Sequence, residues 1–282
     1  MSLETHSILL NNEREMPMLG LGVYKATGNN EVENAICWAV EAGYRLIDTA
    51  SVYKNEEGVG RGIKAASVKR EELFVTTKVW NNAQRMNDVE GAFNRSLERL
   101  GLEYVDLYLI HWPVAGCYIG TWKALEKIYS SGRAKSIGVS NFSVQDLEKL
   151  NEQCGIVPAV NQIEFHPLFN HPELLSYCRA HRIAVQAYAP LARGAYLNEE
   201  TIAQIAARRG KTPAQIGLRW SVQQGISVIP KSSKKERICS NAQIFDFSLT
   251  PEEMEALTAL DRQQRTASIP EDLLGQYEIL SK

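Results

Sequence analysis

No apolar run in this 282-residue chain approaches the roughly 20 residues that a membrane-spanning helix needs, and Met1-Ser-Leu-Glu-Thr carries no secretory h-region. The expectation is therefore a protein without a membrane partner. Charge of one sign is not in excess either. The formal net charge is −2, and basic residues are dispersed apart from a short cluster at Lys231 to Arg237, which argues against nucleic acid as a partner. The five cysteines (Cys37, Cys117, Cys154, Cys178, Cys239) include no CxxC pair and have no histidine at zinc-finger spacing. An odd, scattered set excludes a disulfide framework, and it points to reduced thiols packed as small hydrophobes, a cytoplasmic location and no metal site. A low-complexity linker is missing as well, so a single domain over residues 1–282 is expected.

A Rossmann phosphate loop is the last absence. Gly58-Val-Gly60-Arg-Gly62 resembles a dinucleotide fingerprint, but its glycines fall inside a helical pattern and out of register, where close packing of a helix against the barrel explains them. Any nucleotide must bind without that device.

What is present is an alternation of strand-like and helix-like runs. A hairpin centred on Asn11-Asn12 precedes Leu19 to Tyr24, then an amphipathic stretch from Asn30 to Ala42 with Val32, Ala35, Ile36, Ala39 and Val40 on one face. Strand-like runs follow at Tyr44 to Asp48, Leu73 to Lys78, Val105 to His111, Ala134 to Ser140, Ala159 to Glu164, Ile183 to Tyr188 and Ile226 to Pro230. Helical patterns separate them: Glu56 to Ala66, Val89 to Leu100, Thr121 to Ser130, Ser143 to Glu152, Pro172 to Ala180, Glu199 to Arg209 and Thr212 to Gln224. Start signals at Asn87-Asp88, Ser143 and Thr212-Pro213, and glycines at 101 and 132 where C-caps belong, agree with these boundaries. About eight strand–helix units predict an α/β fold, the (β/α)8 TIM barrel, with an N-terminal hairpin and extra C-terminal helices including Pro251 to Leu260. An open doubly wound sheet is the competing arrangement.

Three of the strand-like runs end in groups that are costly to bury alone: Asp48, Lys78 and His111, with Tyr53 just beyond the first. At the C-terminal mouth of a barrel they would share one site. Their chemistry suits carbonyl reduction. Tyrosine can give a proton to a developing alkoxide, but its ordinary pKa of about 10 makes it slow, and a neighbouring ammonium stabilises the phenolate. Asp48 can hold Lys78 in place and charged, and His111 can orient the substrate oxygen or share in the proton transfer.

Gly43-Tyr-Arg-Leu-Ile-Asp48-Thr-Ala-Ser-Val-Tyr53-Lys-Asn-Glu56-Glu-Gly-Val-Gly60 resembles the first signature of the aldo-keto reductases. Ile229-Pro-Lys231-Ser232-Ser-Lys-Lys-Glu-Arg237-Ile-Cys-Ser-Asn241 resembles their nucleotide signature. Thr77-Lys78-Val-Trp80, Leu109-Ile-His111-Trp-Pro113, Gly138-Val-Ser140-Asn141-Phe and Val160-Asn161-Gln162-Ile-Glu164 fall between them in the family's order. The resemblance covers nearly the whole chain and is greatest to the short prokaryotic and protozoan branch, with its diketogluconate-reductase-like and prostaglandin F synthase-like enzymes.

The resemblance implies an NADPH-dependent reductase of aldehydes and ketones with Tyr53 as proton donor, tuned by Lys78 and Asp48. By the same matching, Ser140, Asn141 and Gln162 hold the nicotinamide carboxamide, Tyr188 stacks on the ring, and Pro190 and Leu191 run along the pyrophosphate. Lys231, Ser232 and Arg237 combine the guanidinium, second cation and hydroxyl that a 2′-phosphate wants. Asn241 faces the adenine, although Ser240 stands where the family often has an acid. Tyr24, Trp80 and Trp112 would wall the substrate pocket beside His111. The short loop from Val114 to Gly120 and the short tail suggest an open pocket. A small-molecule carbonyl is the expected partner, and the protein is expected to be a monomer. The alternative is a nucleotide-binding regulatory or structural protein of the same fold with little turnover, against which the complete tetrad argues.

Overall fold

The computed structural model describes residues 6–276 apart from Thr27 and Asn29. Met1 to Thr5 and the end of the polar C-terminal segment, 277–282, lie outside the described residues. The N-terminal alternation forms the expected antiparallel hairpin, β1 (Ser7–Leu9) and β2 (Glu15–Pro17), pairing Ile8 with Met16. Eight parallel strands follow among the described residues: β3 (Gly20–Gly22), β4 (Leu46–Asp48), β5 (Phe74–Val79), β6 (Leu107–Ile110), β7 (Ile137–Ser140), β8 (Val160–Glu164), β9 (Ala184–Tyr188) and β10 (Ser227–Val228), each paired with its sequence neighbour. Hydrogen bonds from Val228 N to Met18 O (2.9 Å) and from Gly22 N to Pro230 O (3.2 Å) bring β10 back to β3. An open sheet has no such closing bonds, so the fold is the (β/α)8 barrel.

The helices are α1 (Glu31–Glu41), α2 (Glu56–Ala65), α3 (Asn81–Arg85), α4 (Val89–Leu100), α5 (Tyr118–Ser130), α6 (Val144–Gln153), α7 (Pro172–Ala180), α8 (Glu200–Arg209), α9 (Pro213–Gln223), α10 (Lys235–Ala242) and α11 (Pro251–Thr258). The five buried residues of α1 are the five that the sequence period picks out. Ser143 and Thr212 make capping boxes with Asp146 and Gln215, and Gly101 ends α4 in the left-handed region (φ 63°). The short α3 was not anticipated, and α5 starts at Tyr118 instead of Thr121. Gly58, Gly60 and Gly62 do serve close packing, but against neighbouring helices and not the barrel wall. A Cβ on Gly58 would lie 2.5 Å from Val32, and one on Gly60 would collide with the Leu100 carbonyl. Among the described residues no helix is long and apolar enough to cross a membrane.

The two-residue repeat of the strands sets the site. The lower inward positions Leu46, Phe74, Leu107, Leu109 and Val160 form an apolar plug that the hairpin completes with Leu10 and Met16. One or two steps further up the same faces stand Asp48, Lys78, His111, Gln162 and Gln186, all buried. An apolar floor therefore carries a polar layer, and that layer opens at the C-terminal mouth.

Candidate functional site

Lys78 is fully buried, and its Nζ lies 2.6 Å from Asp48 Oδ1 while donating to the Thr49 carbonyl at 2.8 Å. These contacts use two of its three N–H groups. The nitrogen lies 5.2 Å from the centroid of the Tyr53 ring. Burial works against both charges of the pair, raising the Asp48 carboxyl and lowering Lys78. Their mutual contact, and a 2.7 Å hydrogen bond from Gln162 Nε2 to Asp48 Oδ2, oppose it.

Burial also pushes the Tyr53 hydroxyl well above its ordinary range, and the Asp48 charge adds to that. The resting group is thus a neutral phenol. From the sequence, a neighbouring ammonium is expected to stabilise the phenolate and so lower the cost of proton release. In the resting site burial and the Asp48 carboxylate set the direction of the shift. His111 begins just past β6 and packs edge-on to Tyr53 (centroids 5.7 Å) and Trp80 (5.0 Å). Burial first, and Lys78 second, hold its imidazole well below the usual pKa, so it is neutral with one N–H to donate. Its Nδ1 has no hydrogen-bond partner among the described residues.

Asp48, Tyr53 and His111 line a cavity of about 840 Å³, and Lys78 is buried behind them. Tyr24, Trp80 and Trp112 line it as expected, with the Tyr24 ring tilted against that of Tyr53 at a centroid distance of 5.0 Å. Asn141, Gln162, Tyr188, Pro190, Leu191 and Lys231 line it too. The Tyr188 hydroxyl donates to Asn141 Oδ1 (2.7 Å), Asn141 Nδ2 donates to the His111 carbonyl (2.9 Å), and Ser140 Oγ donates to the Gln162 carbonyl (2.8 Å). Ser140 and Asn141 therefore engage protein groups. Gln162 commits its Nε2 to Asp48 and to Gln186 Oε1 (2.6 Å), leaving its own Oε1 with no protein hydrogen bond among the described residues.

Ser232, Arg237 and Asn241 lie outside the cavity lining, on the segment that enters and forms α10. Ser232 is buried with its Oγ accepting from Lys234 N (3.1 Å), Arg237 is exposed, and Lys231 Nζ stands 3.5 Å from Glu31. Lys231 and Ser232 thus precede α10, and Arg237 lies within it.

Two parts of the wall were missed. The loop after β9 adds Ala189 and Arg193, and it carries positive φ at Ala189 (46°), Ala192 (46°) and Arg193 (50°). Such residues rarely adopt the left-handed region, so local pattern gave no signal. The second part is the tail. Residues 267–272 close over one side, which corrects the expectation of a short tail leaving the pocket open. Fully buried Glu164 receives Thr266 N (2.6 Å), Thr266 Oγ1 (2.6 Å) and Ala267 N (3.0 Å) at one end. Asp272 pairs with Arg85 (2.6 Å) and Asn81 (3.1 Å) at the other, and Leu273 packs with Trp112 and Val114. Glu164 was visible in its motif, but its partners lie about a hundred residues away.

Comparison with known proteins agrees with this architecture. The family model described as "Aldo/keto reductase family" matches residues 18–262. Glyoxal reductase of Bacillus subtilis (strain 168) is 49% identical over 268 residues, covering 95% of this chain and 97% of the relative. The 9,11-endoperoxide prostaglandin H2 reductase of Trypanosoma cruzi (strain CL Brener) is 47% identical over 275 residues, 96% and 97% of the two chains. The crystal structure of a Bombyx mori aldo-keto reductase in complex with NADP superposes with a TM-score of 0.89 at 39% identity, covering 95% of this chain and 96% of that one.

Proposed function

Because the chain belongs to the aldo/keto reductase family, we propose that it is a single-domain enzyme reducing small aldehydes and ketones, glyoxals among them, to alcohols with NADPH. The observation that carries this reading is the buried Lys78–Asp48 pair set beneath Tyr53 and beside a neutral His111 at the base of one cavity. The relatives named for glyoxal and endoperoxide reduction and the NADP complex support it.

A reduced nicotinamide, when bound, supplies the hydride. As the carbonyl carbon gains that hydride, the C=O π pair moves to oxygen. His111 donates a hydrogen bond to that oxygen, where charge develops. Tyr53 then delivers its proton there, and the phenolate left behind faces the Lys78 ammonium, which Asp48 keeps charged and in place. Trp80, Trp112 and Tyr24 exclude water from the carbonyl. Gln162 offers its free Oε1 to the cofactor carboxamide, and Ser140 and Asn141 can reach the same group by exchanging their present partners. Tyr188, held by Asn141, would stack on a bound nicotinamide, and Pro190 and Leu191 would hold its pyrophosphate. Lys231, Ser232 and Arg237 suit a 2′-phosphate, with Asn241 toward the adenine.

The test is NADPH consumption, followed by absorbance, across glyoxals and aromatic aldehydes. Turnover of several is expected, and binding of NADPH without consumption across the panel would overturn the reading. The phosphate assignment has its own check. Replacing Arg237 by alanine removes a charge-assisted contact worth about 1.5–2 kcal/mol, so KM for NADPH should rise about tenfold to thirtyfold. KM for NADH should not change. An unaltered NADPH-to-NADH ratio sinks the assignment.

A further inference from the structure

Gln186 is fully buried on β9 and does not reach the cavity, yet it sits in register with Gln162 on β8 and with Ser227 on β10. Three hydrogen bonds run through it in a single direction. The Pro17 carbonyl, in the hairpin under the barrel, can only accept. Ser227 Oγ gives it its one proton at 2.9 Å. Ser227 Oγ must then meet Gln186 Nε2 (3.3 Å) as an acceptor, and the same nitrogen lies 3.6 Å from Met16 Sδ. The amide nitrogen of Gln186 is therefore turned to β10 and the hairpin, and its oxygen to β8, where it accepts from Gln162 Nε2 at 2.6 Å. The other N–H of Gln162 goes to Asp48 Oδ2 at 2.7 Å, a carboxylate that also only accepts.

We propose that Gln186 is a positioning residue for cofactor binding: its amide oxygen, oriented from the hairpin through Ser227, holds Gln162 with Oε1 turned into the cavity to accept from the nicotinamide carboxamide. The inference rests on the reading that a nicotinamide cofactor binds here. Asp48 alone fixes one N–H of Gln162 and leaves the side chain free to swing about that single contact. The second acceptor removes that freedom before the cofactor arrives. Without it, one amide N–H in a buried layer loses its partner, and Gln162 must turn to satisfy it.

The experiment measures NADPH affinity by quenching of the protein's tryptophan fluorescence, with melting temperature recorded alongside. Gln186→Met keeps the volume and removes the acceptor, and it should weaken NADPH binding about tenfold. In a Gln162→Met background, Gln186→Met should weaken binding no further, because the two residues act as one unit. A purely structural role would give the same loss in both backgrounds, and that result overturns the proposal, as does a Gln186→Met affinity within about twofold of wild type. Should Gln186→Met fail to fold, Ser227→Ala tests the same chain from below and should weaken binding about threefold; unchanged affinity there overturns it. Wild-type protein that binds no NADPH would overturn the functional reading and, with it, this inference.

Discussion

Replacing Tyr53 by phenylalanine is expected to lower kcat for aldehyde reduction about a thousandfold, in the range found when a positioned general acid is removed. The size of the effect follows from how little else changes. The ring keeps its contacts with Tyr24 at 5.0 Å and with His111 at 5.7 Å, so the cavity wall stays packed. Lys78 keeps Asp48 and Thr49, and the ion pair is untouched. Only the proton source goes. NADPH affinity should stay within about twofold, since none of the residues proposed to hold the cofactor loses a hydrogen bond. Steady-state kinetics with a reactive aldehyde, paired with NADPH titration, separates the two quantities. His111 is the competing donor, and its neutral imidazole has one N–H. A fall in kcat of less than about tenfold would move the proton-donor role to His111.

The barrel and its polar layer were legible because both depend on short periods. Alternation within β5 puts Phe74, Thr76 and Lys78 on one face, so a lysine at the end of an apolar run could be read as pointing inward. The same step places Asp48 above Leu46, and His111 above Leu109 and Leu107. The helical period identified the buried face of α1 residue by residue. What stayed hidden was fixed by distant partners. The tail 267–272 has no regular period, and it becomes a wall only because Glu164 and Arg85 hold its ends. Gln186 reads as a polar interruption in an apolar strand, and its meaning comes from Ser227 and the hairpin, which the fold brings beside it. The protonation of Tyr53 was likewise beyond local pattern, because it depends on how completely the site is buried.

Replacing Lys78 by methionine is expected to abolish turnover to below about a thousandth of wild type and to destabilise the fold by about 3–5 kcal/mol at neutral pH, the cost of leaving a buried charge without its partner. Asp48 would remain 2% exposed, with Gln162 its remaining side-chain partner among the described residues. Burial already raises its pKa with the lysine present, and removing the ammonium takes away the largest opposing influence. In the variant, the folded-state pKa of Asp48 therefore lies above its unfolded value of about 3.9. A group that binds its proton more tightly when folded favours the folded state as pH falls through the folded-state pKa, so the stability deficit should shrink on acidification. Denaturant melts of wild type and variant at neutral and mildly acid pH measure that convergence. The double variant Asp48→Asn/Lys78→Met carries no buried charge at the pair and should recover most of the lost stability, because removing both ions is far less costly than removing one. Activity should not return with it, since no ammonium stands by the phenolate. A double variant as unstable as the single one would mean that the pair is not charged in the folded protein. A double variant that regains turnover would mean that the lysine's charge has no part in proton transfer from Tyr53.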